Sequence, residues 1–179
     1  MTFENQKKVF LKRLDKSKKG SIDKEIITLI KKINKNPNYY TTSSCSGRIV
    51  LITSGKKPAK WVFLSHKQVT FKQIKSVNLP KKDIWFKQEP FIIHIACRTI
   101  DDAQKLLNKA RSVGLKRSGI QSIRKNIIEI ISTEHLETPI AEKGKLLIDD
   151  NYLKILVKQA NKKLKQTREK IKRFKHGIS

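Results

Sequence analysis

Tyr39-Tyr40-Thr41-Thr42-Ser43-Ser44-Cys45-Ser46-Gly47-Arg48 is the stretch from which the rest of the chain is read. Tyr and the β-branched Thr fit a pleated surface, so its first half predicts a strand. From Ser44 the residues turn small and polar, which predicts a segment outside the core. Small side chains followed by Gly let a ligand approach the backbone closely. Arg48 then offers a rigid fork of donors suited to a carboxylate or a phosphate. A Ser-rich connection between two strands is the plainer reading of the same residues, so the surroundings must decide.

Upstream, Phe3, Phe10, Leu11 and Leu14 stand at helical spacing and predict a short amphipathic helix over 3–14. A basic turn over 15–21 breaks it. Ser21 is placed to cap a second helix, whose apolar stripe is Ile22, Ile26, Leu29, Ile30 and Ile33. That helix stops at 34–38, because Pro37 pushes the residue before it out of the helical region.

Downstream, 49–53 reads as a buried strand, closed by a turn over 54–58. Residues 61–64 form the second strand of a hairpin and deliver Ser65-His66 at its end. A short helix with Val69, Ile74 and Val77 ends before Pro80. Residues 84–89 and 91–98 are strands, separated or bent at Pro90. Thr99-Ile100-Asp101-Asp102 has the spacing of a capping box, with Asp in place of Glu. It opens a helix whose face is Ala103, Leu106, Leu107, Ala110 and Val113, with Gly114 at the C-terminal cap position.

Residues 116–123 and 127–132 read as a strand pair turning at Arg124-Lys125-Asn126. An extended piece covers 136–148, and Pro139 limits it to an edge. Asp150 caps the last helix, which carries Leu153, Leu156, Val157, Ala160, Leu164, Ile171 and Phe174 on one side. From Lys154 to Lys175 its other side holds ten basic residues and one acid, Glu169. The expected architecture is one α+β domain over 1–179: a mixed or antiparallel sheet, flanking helices and a long basic C-terminal helix.

Charge sets the class of partner. The 179 residues include 41 basic and 15 acidic side chains, for a net charge of +26. Such a surface calls for a polyanion, with nucleic acid first and a membrane surface second; a merely solvated basic face is the bland reading. The basic helix would serve as a phosphate-tracking ridge. A membrane-binding helix would want aromatic residues at its boundary, and only Phe174 is available. The first residues lack the apolar core of a signal peptide, and no apolar run is long enough to span a bilayer, so a soluble, cytoplasmic protein is expected.

Cys45 and Cys97 are too far apart for a zinc knuckle and too few for a disulfide framework, which suits a reducing compartment. His94 and Cys97 lie three apart on a strand and so point to opposite faces, and no metal site is expected. Cys97 reads as core. His66 ends a strand beside Ser65 in a polar setting, where functional histidines often sit. Glu89 lies in an apolar and basic neighbourhood and needs a partner or a job. His135 and His176 read as incidental. Ser44, Cys45 and Ser46 lack an elbow motif, and Gly-x-Gly-x-x-Gly is absent, which argues against a Rossmann-type nucleotide site.

A family resemblance runs through these motifs in order. Asp15-Lys16-Ser17-Lys18-Lys19-Gly20-Ser21-Ile22-Asp23, Tyr40 to Ile49 and Trp61-Val62-Phe63-Leu64-Ser65-His66 resemble the wybutosine-synthesis methyltransferases. So do Trp85-Phe86-Lys87-Gln88-Glu89-Pro90 followed by His94, then Lys116-Arg117-Ser118-Gly119-Ile120, Ile131-Ser132-Thr133 and the closing Arg173-Phe174. The resemblance implies an α+β fold distinct from Rossmann methyltransferases. It also implies S-adenosylmethionine as cofactor and N4-methylation of the tricyclic derivative of guanosine 37, in the anticodon arm of phenylalanine tRNA. On that basis Ser44, Cys45, Ser46 and Arg48 would bind the cofactor, with Arg48 facing its methionyl carboxylate. Ser118, Gly119 and Ser132 would complete the pocket.

His66 would be the base, with Glu89 and His94 orienting it or the cofactor. Lys162, Lys163, Lys165, Arg168, Lys172 and Arg173 would hold the tRNA. Two rivals stay open: a non-catalytic RNA-binding module using the Ser-Cys-Ser-Gly-Arg run as a phosphate nest, and a structural ribonucleoprotein component.

Overall fold

The computed structural model describes residues 2–12, 21–54 and 59–178. Residues 15–20 and 55–58 of the turns expected over 15–21 and 54–58 lie outside them, as do the last two residues of the helix expected over 3–14. In chain order the elements are α1 (Phe3–Lys12), a 3-10 turn (Lys24–Ile26), α2 (Ile27–Lys35), β1 (Tyr39–Cys45), β2 (Arg48–Thr53), β3 (Trp61–Ser65) and α3 (Phe71–Lys75). There follow β4 (Ile84–Glu89), β5 (Ile92–Cys97), α4 (Ile100–Ser112), β6 (Gly119–Ser122), β7 (Ile127–Ile131), β8 (Leu136–Glu142), β9 (Lys145–Leu146) and α5 (Asp150–Gly177).

The strands form two sheets, and every described pairing is antiparallel. Packing divides the chain into two compact units. The first comprises Met1–Ser46, Phe91–Thr133 and Arg168–Ser179; the second comprises Gly47–Pro90 and Glu134–Thr167. The class is α+β with antiparallel sheets, and the doubly wound parallel sheet of a Rossmann enzyme does not occur among the described strands. The choice left open at Pro90 resolves as separation, since β4 and β5 belong to different sheets.

In the first unit the strand order is β1-β5-β7-β6. Alternation along β5 sends Ile93, Ile95 and Cys97 to one face, where Ile128 and Ile130 of β7 join them. Ile26, Leu29, Ile30 and Ile33 around α2 pack into this core, as do Leu106 and Leu107 of α4 and Ile171 and Phe174 of α5. Removing such side chains from water is the main force holding the unit together. The entry to α2 differs from expectation. Ser21 does not cap it; the chain enters through the 3-10 turn behind Asp23, which makes no side-chain cap. The Asp23 carboxylate instead accepts from the Ser46 amide at 2.8 Å. Ile22 falls off the buried stripe and is exposed.

Thr99 does cap α4, its hydroxyl oxygen accepting from the Asp102 amide at 3.1 Å. The reciprocal half of the box is replaced, because the Thr99 hydroxyl donates to the Asp102 carboxylate. Gly114 stands past the helix end with φ +93°, a conformation that suits glycine there.

In the second unit the order is β3-β2-β4-β8-β9. Ile49, Leu51, Ile84, Phe86 and Ile140 form a core with Leu153, Leu156, Val157, Ala160 and Leu164 of α5. Pro139 stands opposite Trp85 beside a register shift, and β9 pairs only with Ala141 and Glu142. The edge expected for this piece is therefore not where Pro139 stands: β8 lies between β4 and β9, and the irregular pairing beside Pro139 is what accommodates a residue without an N–H. The cap of α5 is Asp149 rather than Asp150: its carboxylate accepts from the Tyr152 amide at 2.8 Å. Asp150 is one residue too far along to reach that amide and pairs with Lys75 instead.

Candidate functional site

In the first unit the strand register gathers most of the expected cofactor residues at one end of the sheet. Cys45, Ile92 and Ile131 stand in one cross-strand row, and Ser43, His94, Glu129 and Gly119 in another two residues along. Ser46, Phe91 and Ser132 continue beyond the first row. The Ser132 amide donates to the Phe91 carbonyl at 3.0 Å, and the Ser132 hydroxyl accepts from the Phe91 amide at 3.2 Å. The Ser118 hydroxyl donates to the Leu115 carbonyl at 2.7 Å and accepts from the Ile131 amide at 3.2 Å.

These bonds show where the expected pocket serines stand. Ser118 and Ser132 are buried, and their hydroxyls hold strand ends in place. Ser46 is buried completely. Its amide is taken by Asp23, and Arg168 of α5 donates to its carbonyl and, at 3.3 Å, to its hydroxyl. The segment after Ser44 is therefore not all outside the core. A small polar side chain can be buried when every hydrogen-bonding group on it is met. Ser44 is exposed, Cys45 half-buried, and a Cβ at Gly119 would meet open space.

Arg168, expected among the tRNA-binding cations, is half-buried in the first unit, with its guanidinium on the Ser46 carbonyl and hydroxyl. Desolvation lowers its pKa, while the negative charges of Glu25 and Asp23 pull the other way. A half-buried cation with anions beside it and a carbonyl on its fork braces the serine segment. The other basic candidates keep their surface character: Lys162 and Lys165 in the second unit and Lys172 and Arg173 in the first are exposed, while Lys163 is half-buried.

In the second unit Arg48 opens β2 opposite Glu89, which closes β4. Its Nε donates to the Glu89 carboxylate at 2.5 Å, and its guanidinium lies 4.4 Å from the Trp61 ring centroid. Glu89 thus has its partner, and its job is to fix the Arg48 fork. No further hydrogen bond to the two terminal guanidinium nitrogens is made among the described residues, so those nitrogens can face an anionic group. His66 follows β3, and its Nδ1 lies 3.3 Å from the Gly47 carbonyl. An Nδ1–H donating there leaves the lone pair on Nε2.

Sequence reasoning missed Gln88. Alternation along β4 puts Ile84, Phe86 and Gln88 on the buried face, so the signal was an amide at a core position. Its amide nitrogen donates to the Glu89 carbonyl at 2.8 Å, but its Oε1 is buried without a partner among the described residues. Gln88 and Glu89 are consecutive on β4, so the unmet acceptor lies on the core face and the Arg48–Glu89 pair on the other.

His94 is not in the unit that holds His66 and Glu89. Its Nδ1 lies 2.8 Å from the Ser43 hydroxyl and its Nε2 lies 3.1 Å from the Glu129 carboxylate. Cys97, three residues on, points into the core as expected. Burial, with help from the nearby Asp102 carboxylate, pushes its thiol up to about 12. The folded thiol holds its proton more tightly than the unfolded one. The stability it carries is complete below pH 9.0 and is lost as pH rises towards 12. At pH 8 only about 10⁻⁴ of Cys97 is thiolate. A chromogenic disulfide reagent should therefore titrate one thiol per native chain, Cys45, and two after denaturation; rapid reaction of both in the native protein would contradict this packing.

Comparison with known proteins places this arrangement. Residues 5–179 match the family model described as Methyltransferase TYW3. The chain is a methyltransferase on an antiparallel α+β scaffold. It is 40% identical over 185 residues to a tRNA(Phe) 7-((3-amino-3-carboxypropyl)-4-demethylwyosine(37)-N(4))-methyltransferase of Pyrococcus abyssi, covering 98% of this chain and 95% of that one. It is 34% identical to the tRNA wybutosine-synthesizing protein 3 homolog of Homo sapiens, covering 96% of this chain and 70% of the relative. The solved structure of the PH1069 protein from Pyrococcus horikoshii superposes with a TM-score of 0.92 at 36% identity, over 99% of this chain and 96% of that one. The chain belongs to the TYW3 methyltransferase family.

Proposed function

We propose that this chain N4-methylates the tricyclic derivative of guanosine 37 in phenylalanine tRNA, with S-adenosylmethionine as methyl donor, and that residues 1–179 act as one functional domain. The observation that carries the reading is the near-full-length match to relatives named for that reaction. The +26 charge suits a tRNA substrate, which would place the enzyme in the cytoplasm.

The residues present fit the cofactor. The terminal nitrogens of the Arg48 fork suit its methionyl carboxylate, with Glu89 and Trp61 fixing their direction. When bound, the sulfonium supplies an electrophilic methyl group on a good leaving sulfur. The protein's task is then alignment of nucleophile and methyl, and removal of the proton that the ring nitrogen loses. We assign the proton to His66 Nε2, with the Gly47 carbonyl holding the ring's tautomer. Lys162, Lys163, Lys165, Lys172 and Arg173 hold tRNA phosphates.

Titration calorimetry with S-adenosylmethionine tests the assignment. One saturable site is expected, weakened about tenfold or more in Arg48→Ala through loss of a charge-assisted pair. Absence of binding even with hypomodified tRNA present would favour a non-catalytic RNA-binding module. Lys162→Glu with Lys165→Glu should raise the KM for tRNA and reduce the salt slope by about two phosphate contacts. An unchanged slope would remove α5 from the tRNA surface.

A further inference from the structure

We propose that a groove in the first unit binds an unstacked nucleobase of the substrate RNA, with the adjoining phosphates on Arg124 and Lys125. This rests on the tRNA reading above and says which surface of the first unit meets the RNA.

The groove arises from an incompletely covered helix. α1 has no buried residue, yet Phe3 and Phe10 each bring a ring to 5.2 Å from the Tyr40 ring. The Arg98 guanidinium lies 5.0 Å from Phe3 and is anchored by Glu4. With Arg124 and Lys125 of the β6–β7 turn, these residues line a cavity of about 520 Å³. That size lies within the range of small-molecule sites. Val9, beside the rings, stays 41% exposed, so the apolar face of α1 is not used up by the fold.

The chemistry of the lining selects the occupant. Aromatic faces stack on nucleobases regardless of sequence, and a guanidinium over a ring adds to the same platform. Arg124 and Lys125 are exposed and make no ion pair among the described residues, so they complement phosphate. The rings are recessed in a groove rather than projecting, which fits an inserted base better than a lipid surface.

The probe is a short single-stranded RNA carrying 2-aminopurine at its centre, compared with the same RNA made abasic there. Binding to the wild-type protein should quench the 2-aminopurine fluorescence. Phe10→Ala should abolish the quenching and weaken binding about tenfold, while leaving affinity for the abasic RNA unchanged. Arg124→Glu with Lys125→Glu, on an exposed turn where misfolding is not at issue, should weaken both RNAs and flatten the salt slope by about two contacts. Unchanged quenching and affinity in these variants, or equal wild-type affinity for the abasic RNA, overturns the groove. S-adenosylmethionine titration of Phe10→Ala should match wild type. Quenched RNA binding without methyl transfer would sink the enzymatic assignment and leave the groove standing; no RNA binding by the wild-type chain would sink both.

Discussion

His66→Ala is expected to lower kcat for methylation of hypomodified tRNA by about 10²–10⁴-fold, the range for removing a positioned base. Affinities for tRNA and for S-adenosylmethionine should stay within about twofold. The expectation rests on the ring geometry after β3, where the Gly47 carbonyl 3.3 Å from Nδ1 orients the ring and puts the lone pair on Nε2. His66→Asn separates chemistry from architecture, since the amide can still donate to that carbonyl but cannot take a proton at neutral pH. If Asn restores turnover, His66 is only a brace; if Ala retains turnover, the base lies elsewhere.

Arg168→Ala should be the most destabilising single change at the serine segment. It removes charge-assisted hydrogen bonds to Ser46 and leaves a buried carbonyl without its donor. Losses of this kind add to about 3 kcal/mol, which in a chain of this size lowers Tm by about 6–12 °C. Scanning calorimetry reads the shift, and Arg168→Lys should recover less than half, because an ammonium cannot reproduce the fork. Measured well below its lowered Tm, the Ala variant should bind tRNA within twofold of wild type. A large loss of tRNA affinity with Tm unchanged would return Arg168 to the RNA surface.

Lys162 and Arg168 show why surface cations were easier to place than half-buried ones. Both sit on the basic side of one amphipathic helix, and periodicity treats them alike. The partial burial of Arg168 depends on Asp23, Glu25 and Ser46, more than a hundred residues earlier in the chain. The same limit applies to the serines. Ser44 and Ser46 read as equivalent neighbours, but the end of β1 leaves one exposed and seals the other against Asp23 and Arg168.

Asp150 and Ser21 failed for a smaller reason. Capping depends on which residue stands three before an available amide, and sequence spacing leaves that uncertain by a residue or two. The core position of Gln88 follows from the alternation of β4, but its unmet acceptor depends on neighbours that only the fold supplies.

From the sequence alone came the helices and strands with strong periodicity, the hairpin that presents His66, the capped α4, the basic face of α5 and the ordered motifs of the family. These are local properties, set by side-chain spacing and backbone preference. Only the tertiary structure divided the strands between two sheets and paired Arg48 with Glu89 under Trp61. It also turned Ser46, Ser118 and Ser132 inward and opened the aromatic groove beside Arg124. Each of those depends on contacts between residues far apart in the chain, where burial and unmet hydrogen bonds, rather than residue type, decide what a side chain can do.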